Sequence, residues 1–345
     1  MAIIMKHSYN IPVFIPHEGC PHDCVFCNQR KITGLTTSMT PQRAKIEIAD
    51  GLQYLKYREQ ATVEVAFFGG SFTGLPFSVQ EEFLKIAQQF FPQIDGIRVS
   101  TRPDTISAEG VALLKRYGVT TVELGVQSSD AEVLQANRRG HTFQNVKDAV
   151  ALLRKNDIAV GLQMMVGMWR SNPQKDLQTA KDIIALNPDC VRIYPTVILR
   201  DTALERLYES GVYRPYSVEE AVEVCKEILP LFWQKYIPVI RLGLHAGGDL
   251  QSEGCIVAGP FHPAFGELVE SRIYRDKIEK KIIEGKIKNT ALPIECTASE
   301  VSKIIGHKGC NRTYLKEKYG VDLKVRQGKE FSFPHLTKFD SNITI

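Results

Sequence analysis

Short runs of β-branched and aromatic residues alternate along this chain with longer stretches in which apolar residues recur every three or four positions. The runs are Ile11–Ile15, Thr62–Phe68, Ile97–Thr101, Thr120–Val126, Ala159–Val166 and Val191–Tyr194. Several are apolar at nearly every position, which predicts parallel strands buried on both faces. The stretches between them open on helix-start signals: Thr40-Pro41 with Glu47 beyond, Ser78 before Glu81, Ser107 with Gly110, and Asn172-Pro173. A Ser, Thr or Asn cap accepts an orphan backbone N–H, and a proline in the first turn has none to satisfy. Repeated strand–helix units require right-handed crossovers, hence an α/β fold with a parallel sheet.

Beyond the sixth unit, Ser217–Trp233 reads as a helix and Ile237–Leu244 as a strand. The glycine-rich stretch Gly243–Gly266 reads as a folded loop. Ile273–Ile287 is a basic helix whose Lys/Glu alternation suggests a connector rather than a core element. A second small pattern follows: strand near Leu292–Cys296, helix Ala298–Ile305, loop, helix Arg312–Tyr319, strand Val321–Arg326. The expected division is a main domain over 1–272, a connector over 273–290, a module over 291–331 and a loosely ordered tail over 332–345. A length of 345 residues suits one large α/β domain with a small appendage.

Composition is that of a water-soluble globular protein, 43% hydrophobic and 24% charged. No apolar run approaches the roughly 18 residues of a membrane span, so no membrane partner is expected. Met1–Lys6 is too short for a signal peptide. Eight cysteines, three of them clustered, read as intracellular metal chemistry rather than a disulfide frame, and the expected compartment is the cytoplasm. The net charge is +4, yet Lys303–Lys329 holds eight basic residues against two acids. Such a patch suits a polyanion partner, although a solvated face has the same composition.

The cluster is Cys20-Pro21-His22-Asp23-Cys24-Val25-Phe26-Cys27, just past the first predicted strand. Three thiolates in eight residues can converge on one inorganic centre, one ligand short of a closed site. An iron without a protein ligand can activate something else, which favours catalysis. A zinc knuckle borrowing His22 or Asp23 is the alternative, and a second cluster drawing on Cys255 or Cys296 is a further possibility.

Cys-x3-Cys-x2-Cys with Phe26 before its last cysteine resembles the signature of the radical S-adenosylmethionine (SAM) enzymes. The resemblance implies a partial (β/α)6 TIM-like barrel with the cysteine loop at its carboxyl-end mouth. It also implies a [4Fe–4S] cluster held by Cys20, Cys24 and Cys27. SAM would chelate the fourth iron and be cleaved reductively to a 5′-deoxyadenosyl radical, with a one-electron donor such as flavodoxin or ferredoxin. By the same likeness Gly69 and Gly70 expose backbone to the SAM amino group, with Ser71 where the family usually has Glu. Phe68–Thr73, Thr101-Arg102-Pro103-Asp104 and Val191–Thr196 resemble the elongator protein 3 branch. Glu123–Ser128 is similar to both that branch and the oxygen-independent coproporphyrinogen oxidases. Gln127 would then touch the ribose, and Arg139, with Arg138 as alternative, would clamp the SAM carboxylate through its planar fork. Gln163 and Tyr194 would line the adenine end. The likeness spans about Ile11 to Ile228, and the acetyltransferase domain of elongator protein 3 is missing from the sequence that follows.

In its place stands Gly306-His307-Lys308-Gly309 between two predicted helices, followed by Arg312. This strand–helix–loop–helix–strand segment resembles a minimal KH domain, whose Gly-x-x-Gly loop clamps a nucleic-acid backbone; a plain helical hairpin is the alternative. His245 and His262 lie on glycine-rich loops that suit either substrate contacts or ordinary loop packing. The leading expectation is a radical SAM enzyme acting on RNA, tRNA or rRNA. The alternatives are a radical SAM enzyme for a small molecule such as a tetrapyrrole, and a non-enzymatic iron–sulfur RNA-binding protein.

Overall fold

The computed structural model describes residues 7–15, 18–28, 39–55, 61–244, 254–288 and 290–332. Met1–Lys6, His245 and the tail beyond Ser332 lie outside the described residues. Seven strands form one all-parallel sheet in the order β1 (His7–Ile15), β2 (Ala61–Gly69), β3 (Gly96–Thr101), β4 (Val119–Gln127), β5 (Ala159–Val166), β6 (Cys190–Pro195) and β8 (Val239–Leu242). β1 and β8 are its open edges, so the architecture is a partial TIM-like barrel. The predicted run Ile237–Leu244 supplies a seventh strand, parallel to β6.

The crossover helices start where their caps dictate. Thr40 accepts from the Arg43 N–H ahead of α1 (Pro41–Gln53). Ser107 accepts from Gly110 ahead of α3 (Ala108–Arg116), and Asn172 from Lys175 ahead of α6 (Pro173–Ala185). Ser78 caps nothing: α2 (Phe77–Gln88) begins directly behind Pro76 without a side-chain cap. The remaining crossover helices are α4 (Ala131–Ala136) and α5 (Phe143–Lys155).

The strands are not apolar on both faces. Val63, Val65, Phe67, Ile97, Val99, Val122, Leu124, Leu162 and Ile193 pack outward against the helices in one continuous core. The alternate positions turn inward and carry Glu64, Arg98, Glu123, Gln163 and Arg192, which bond to one another in the lumen. An incompletely closed barrel has room for polar side chains, so only its outer face demands hydrocarbon.

β7 (Ile198–Leu199) pairs antiparallel with β9 (Ile256–Ala258) over the carboxyl end of β6, and between them run α7 (Ala203–Glu209) and α8 (Val218–Trp233). α9 (Phe265–Glu284) begins eight residues before the expected connector and is not a free connector. Val269 and Ile273 join the barrel core, while Tyr274, Ile278 and Ile282 join a second core. Its charge alternation disguised an apolar stripe on each half, one for each neighbour. The second core also holds Leu292 and Ile294 of β10 (Ala291–Cys296), Ile304 of α10 (Val301–Ile305), Leu315 of α11 (Cys310–Tyr319) and Leu323 of β11 (Asp322–Gln327). β10 and β11 pair in parallel. Ser271 on α9 accepts two hydrogen bonds from Asn311 Nδ2, each 2.9 Å, and Glu270 pairs with Lys303, which ties this module to the barrel.

Candidate functional site

The cysteine loop leaves β1 at the carboxyl end of the sheet and is held on three sides. The Cys27 N–H donates to the Cys24 carbonyl at 3.0 Å, closing a turn. Val25 is buried among Ile198, Leu204 and Tyr213, with Phe26 packed against the same group. Its carbonyl accepts from the Leu204 N–H at 2.7 Å and its N–H donates to the Asn137 carbonyl at 3.3 Å. The third side is the turn after β2. The Gly70 N–H donates to the Ile15 carbonyl at 2.7 Å and the Ser71 N–H to the Glu18 carbonyl at 3.0 Å. A Cβ on Gly70 would stand 2.1 Å from the Glu18 oxygen, and one on Gly19 2.1 Å from the Ser71 oxygen. These backbones approach so closely that side chains are excluded. Gly69 and Gly19 also have φ of +110° and +72°, which favours glycine at both.

Arg139 reaches this loop from the turn between α4 and α5. It is buried, with Nη1 3.1 Å from the Cys24 sulfur and Nη2 donating to the Gly125 carbonyl at 2.8 Å. Its Nε has no partner in the structure. Gln127 lies alongside: its φ is +65°, and its Oε1 is buried and unpartnered. Gly125 makes room for both, since a Cβ there would come within 3.0 Å of Gln127 Nε2 and 3.2 Å of Arg139 Nη2. The neighbouring arginine is resolved by the fold. Arg138 is exposed and lines a cleft of about 740 Å³ on the outer side of the loop, with His22, Asp23 and His141. The fourth-ligand candidates His22 and Asp23 thus face that outer cleft. Among the described residues no three His, Cys, Asp or Glu side chains are arranged to hold a single metal ion.

Ser71 is wholly buried. Its hydroxyl lies 2.9 Å from Thr101 Oγ1 and accepts from the Arg102 N–H at 3.2 Å. Thr73 and Thr105 complete this hydroxyl network. Ser71 therefore braces the turn instead of extending as a longer side chain would. Arg102 is one of the residues the sequence reading left without a role. It is clamped to Asp104 by two 3.0 Å bonds and donates to the Arg139 carbonyl, which sets the height of Arg139.

The lumen below was also unforeseen. Arg98 donates to Glu64 at 2.6 and 2.9 Å and to Glu123 at 2.9 Å. Arg192 donates to Glu123 at 2.6 and 2.9 Å. Glu123 and Arg192 sit on β4 and β6 and meet across β5 because Gly161 leaves the gap; a Cβ there would be 2.9 Å from Glu123 Cγ. Burial favours protonation of Glu123, but Arg192 and then Arg98 outweigh it and hold the carboxyl below its usual range. Gln163 is drawn into this network, donating to Glu123 at 2.8 Å and to Ser100 at 3.3 Å. Burial raises the Tyr194 phenol, against the nearby Arg192. The signal for the network was a lone charge inside each apolar run, as in Val63-Glu64-Val65 and Val191-Arg192-Ile193.

The cysteines are spaced closely enough to feel one another. Burial, then Cys24 and Cys20, push the Cys27 thiol up to about 12; burial and then Cys24 raise Cys20, with Arg139 pulling against both and Arg102 against Cys20. Such thiols surrender their protons to a metal centre, whose positive charge replaces the missing counter-ion. An acceptor-free guanidinium nitrogen and an unpartnered amide oxygen beside them are the groups a zwitterionic ligand would satisfy. The residues therefore fit an iron–sulfur cluster with an amino-acid-bearing ligand. Cys255 and Cys296 lie in two different apolar clusters, so the structure does not bring them together as a second site.

The remaining predicted residues lie in the carboxyl-terminal module. Gly306 (φ +84°), Lys308 (φ +52°) and Gly309 (φ +78°) form the turn between α10 and α11, with His307 and Lys308 exposed. Arg312 is one turn along α11 and pairs with Asp322 at 3.0 Å. The charge count over 303–329 omitted two acids from α9: Glu270 takes Lys303 and Glu279 takes Lys318. Among the described residues Lys308, Lys316, Arg326 and Lys329 have no acidic partner.

Comparison with known proteins agrees with this geometry. Residues 14–183 match the radical SAM superfamily model, and residues 188–275 match the radical SAM C-terminal domain. The chain is 26% identical over 320 residues to a tRNA uridine(34) acetyltransferase of Methanocaldococcus jannaschii, covering 79% of this chain and 57% of that protein. It is 29% identical over 274 residues to elongator complex protein 3 of Saccharomyces cerevisiae, covering 66% of this chain and 49% of that protein. The chain thus spans about half the length of the curated relatives it matches. Its fold superposes on the archaeal Methanocaldococcus infernus Elp3 with a TM-score of 0.61 at 24% identity, over 80% of this chain and 63% of that one. No helix among the described residues is long and apolar enough to cross a membrane. With two successive radical SAM models matched, sequence similarity to elongator complex protein 3 and the cysteine loop in place at the barrel mouth, the chain belongs to the radical SAM superfamily, as an enzyme that uses a [4Fe–4S] cluster and S-adenosylmethionine.

Proposed function

We propose that this enzyme modifies an RNA, with Cys20, Cys24 and Cys27 holding the cluster at the barrel mouth and the carboxyl-terminal module gripping the substrate strand. When bound, the cluster and SAM supply a reductively generated, hydrogen-abstracting radical. The chain's own residues bind and orient. Arg139, already pinned on Cys24 and Gly125, offers its unpartnered Nε to the SAM carboxylate. Gly69 and Gly70 leave backbone open for the amino group, Gln127 offers its amide to the ribose, and Gln163 with Tyr194 borders the base.

The single observation that carries this reading is the Arg139–Cys24 contact at 3.1 Å, which puts a carboxylate-binding fork beside a cluster ligand. RNA is favoured as substrate because relatives over most of this chain are tRNA uridine acetyltransferases by name. The module supports it as well. Its βααβ order and exposed Gly-x-x-Gly turn fit a KH-like fold. Arg312 and Lys316, four residues apart, are exposed on one side of α11, with exposed Lys308 in the turn before it.

Anaerobic reconstitution followed by dithionite and SAM should release 5′-deoxyadenosine, and Cys24→Ala should abolish it. Mass spectrometry of nucleosides from total RNA of a deletion strain should then show one modified nucleoside missing. Unchanged nucleosides together with active SAM cleavage would redirect the enzyme to a small-molecule substrate.

A further inference from the structure

His262 belongs to the barrel's last loop, yet its ring meets the Gly-x-x-Gly turn of the separate module. The rings of His262 and His307 lie edge to face, 5.2 Å apart. His262 Nδ1 accepts from the Ala264 N–H at 3.1 Å, so in the neutral ring the proton sits on Nε2, a donor not consumed by that bond. Burial, then His307 and Lys308, disfavour a charge on the same ring. Three nitrogen-bearing side chains from two folded units thus gather at one point, and among the described residues Glu267 acts on His262 in the opposite sense.

The surroundings are open where a ligand would enter. A Cβ on Gly309 would meet nothing within 4 Å, so its glycine serves the +78° backbone and leaves the turn uncovered. α11, ten residues long, starts there without a side-chain cap for its first N–H groups. The other end of the His262 loop leads to the barrel mouth. A Cβ on Gly259 would stand 3.1 Å from the Thr196 carbonyl and 3.0 Å from Val197 Cα, at the end of β6. His262 is three steps along the chain from Gly259, a reach of at most about 11 Å.

We infer that His262, His307 and Lys308 form a phosphodiester-binding site across the two units, which seats the backbone of single-stranded RNA where it passes from the module to the barrel mouth. This inference rests on the RNA reading above and deepens it. The Gly-x-x-Gly turn is no longer an independent grip; the catalytic domain supplies part of it, so the gripped phosphate has a fixed offset from the reacting base. α9, with Asn311 bonded to Ser271, keeps that offset rigid.

The test is anisotropy titration of a labelled single-stranded RNA with the full-length chain. His262→Ala and His307→Ala should each weaken binding about tenfold or more, the scale of one lost hydrogen bond to a charged group. The double variant should lose little more than either single one, because the rings act together. His262→Gln keeps a side-chain N–H donor and should restore most of the affinity. Wild-type binding by both His262 variants, with Gly306→Asp plus Lys308→Glu still defective, would overturn the shared site and leave the RNA reading standing. Wild-type binding by that turn variant as well would remove the RNA reading itself.

Discussion

The lumen of the barrel and the surface of the carboxyl-terminal module are both rich in arginine and lysine, and they use them in opposite ways. In the lumen Arg98 and Arg192 are spent: they are occupied by Glu64 and Glu123, whose carboxylates are nearly inaccessible. On the module, Lys308 and Lys316 stand in water with no acidic partner among the described residues. The difference follows from solvation. A buried charge without a counter-ion costs several kcal/mol, whereas an exposed one costs almost nothing and stays available to a polyanion. Matched charges build a floor, and unmatched ones build an interface.

Removing one partner in the lumen should have the largest effect. Arg98→Met leaves Glu64 without a counter-ion in the interior, while Glu123 keeps Arg192, and should destabilise the chain by about 3–5 kcal/mol in a denaturant melt. A loss below about 1 kcal/mol would mean that water enters the lumen and that the two regions do not differ in kind.

Acid should distinguish buried groups next. Burial, then Arg139 and Arg102, hold His141 down at about 4. The unfolded chain takes up that proton first, near the ordinary value of about 6.5. Stability is therefore full above pH 6.5 and falls as pH drops toward 4, by about 3 kcal/mol for this group. His141→Gln should flatten the melting profile over that window; an unaltered slope would show that the imidazole is not kept neutral by its surroundings.

The module should respond least in stability. Arg312→Ala breaks an exposed pair with Asp322 and should cost under about 1 kcal/mol. Lys316→Ala should be neutral in the melt yet lower the slope of log affinity for single-stranded RNA against log salt by about 0.7. Equal slopes for wild type and variant would place the strand on another face.

Much of the architecture was legible in advance because it depends on local chemistry. Thr40, Ser107 and Asn172 cap their helices as their side chains dictate, and β5 matches its predicted bounds residue for residue. Ser78 misled because α2 begins at Phe77 with Pro76 in the cap position, which puts Ser78 inside the first turn. The α9 helix misled because its two apolar faces serve different cores, and each half looks too polar when averaged over its full length. Glu64, Arg98 and Arg192 were passed over because a single charge in an apolar run says nothing about which strand holds its partner.

By itself the sequence determined the repeating strand–helix order, the placement of three cysteines after the first strand and the glycines that let β-turn backbones touch. These are properties of neighbouring residues, set by sterics and hydrogen bonds within a few positions. Only the tertiary structure decided that Arg139 rather than Arg138 lies on Cys24, that the lumen is ionic, and that His262 meets His307. Those outcomes depend on which distant segments the curled sheet and α9 bring together, and solvation free energy then selects which charges stay paired and which remain exposed.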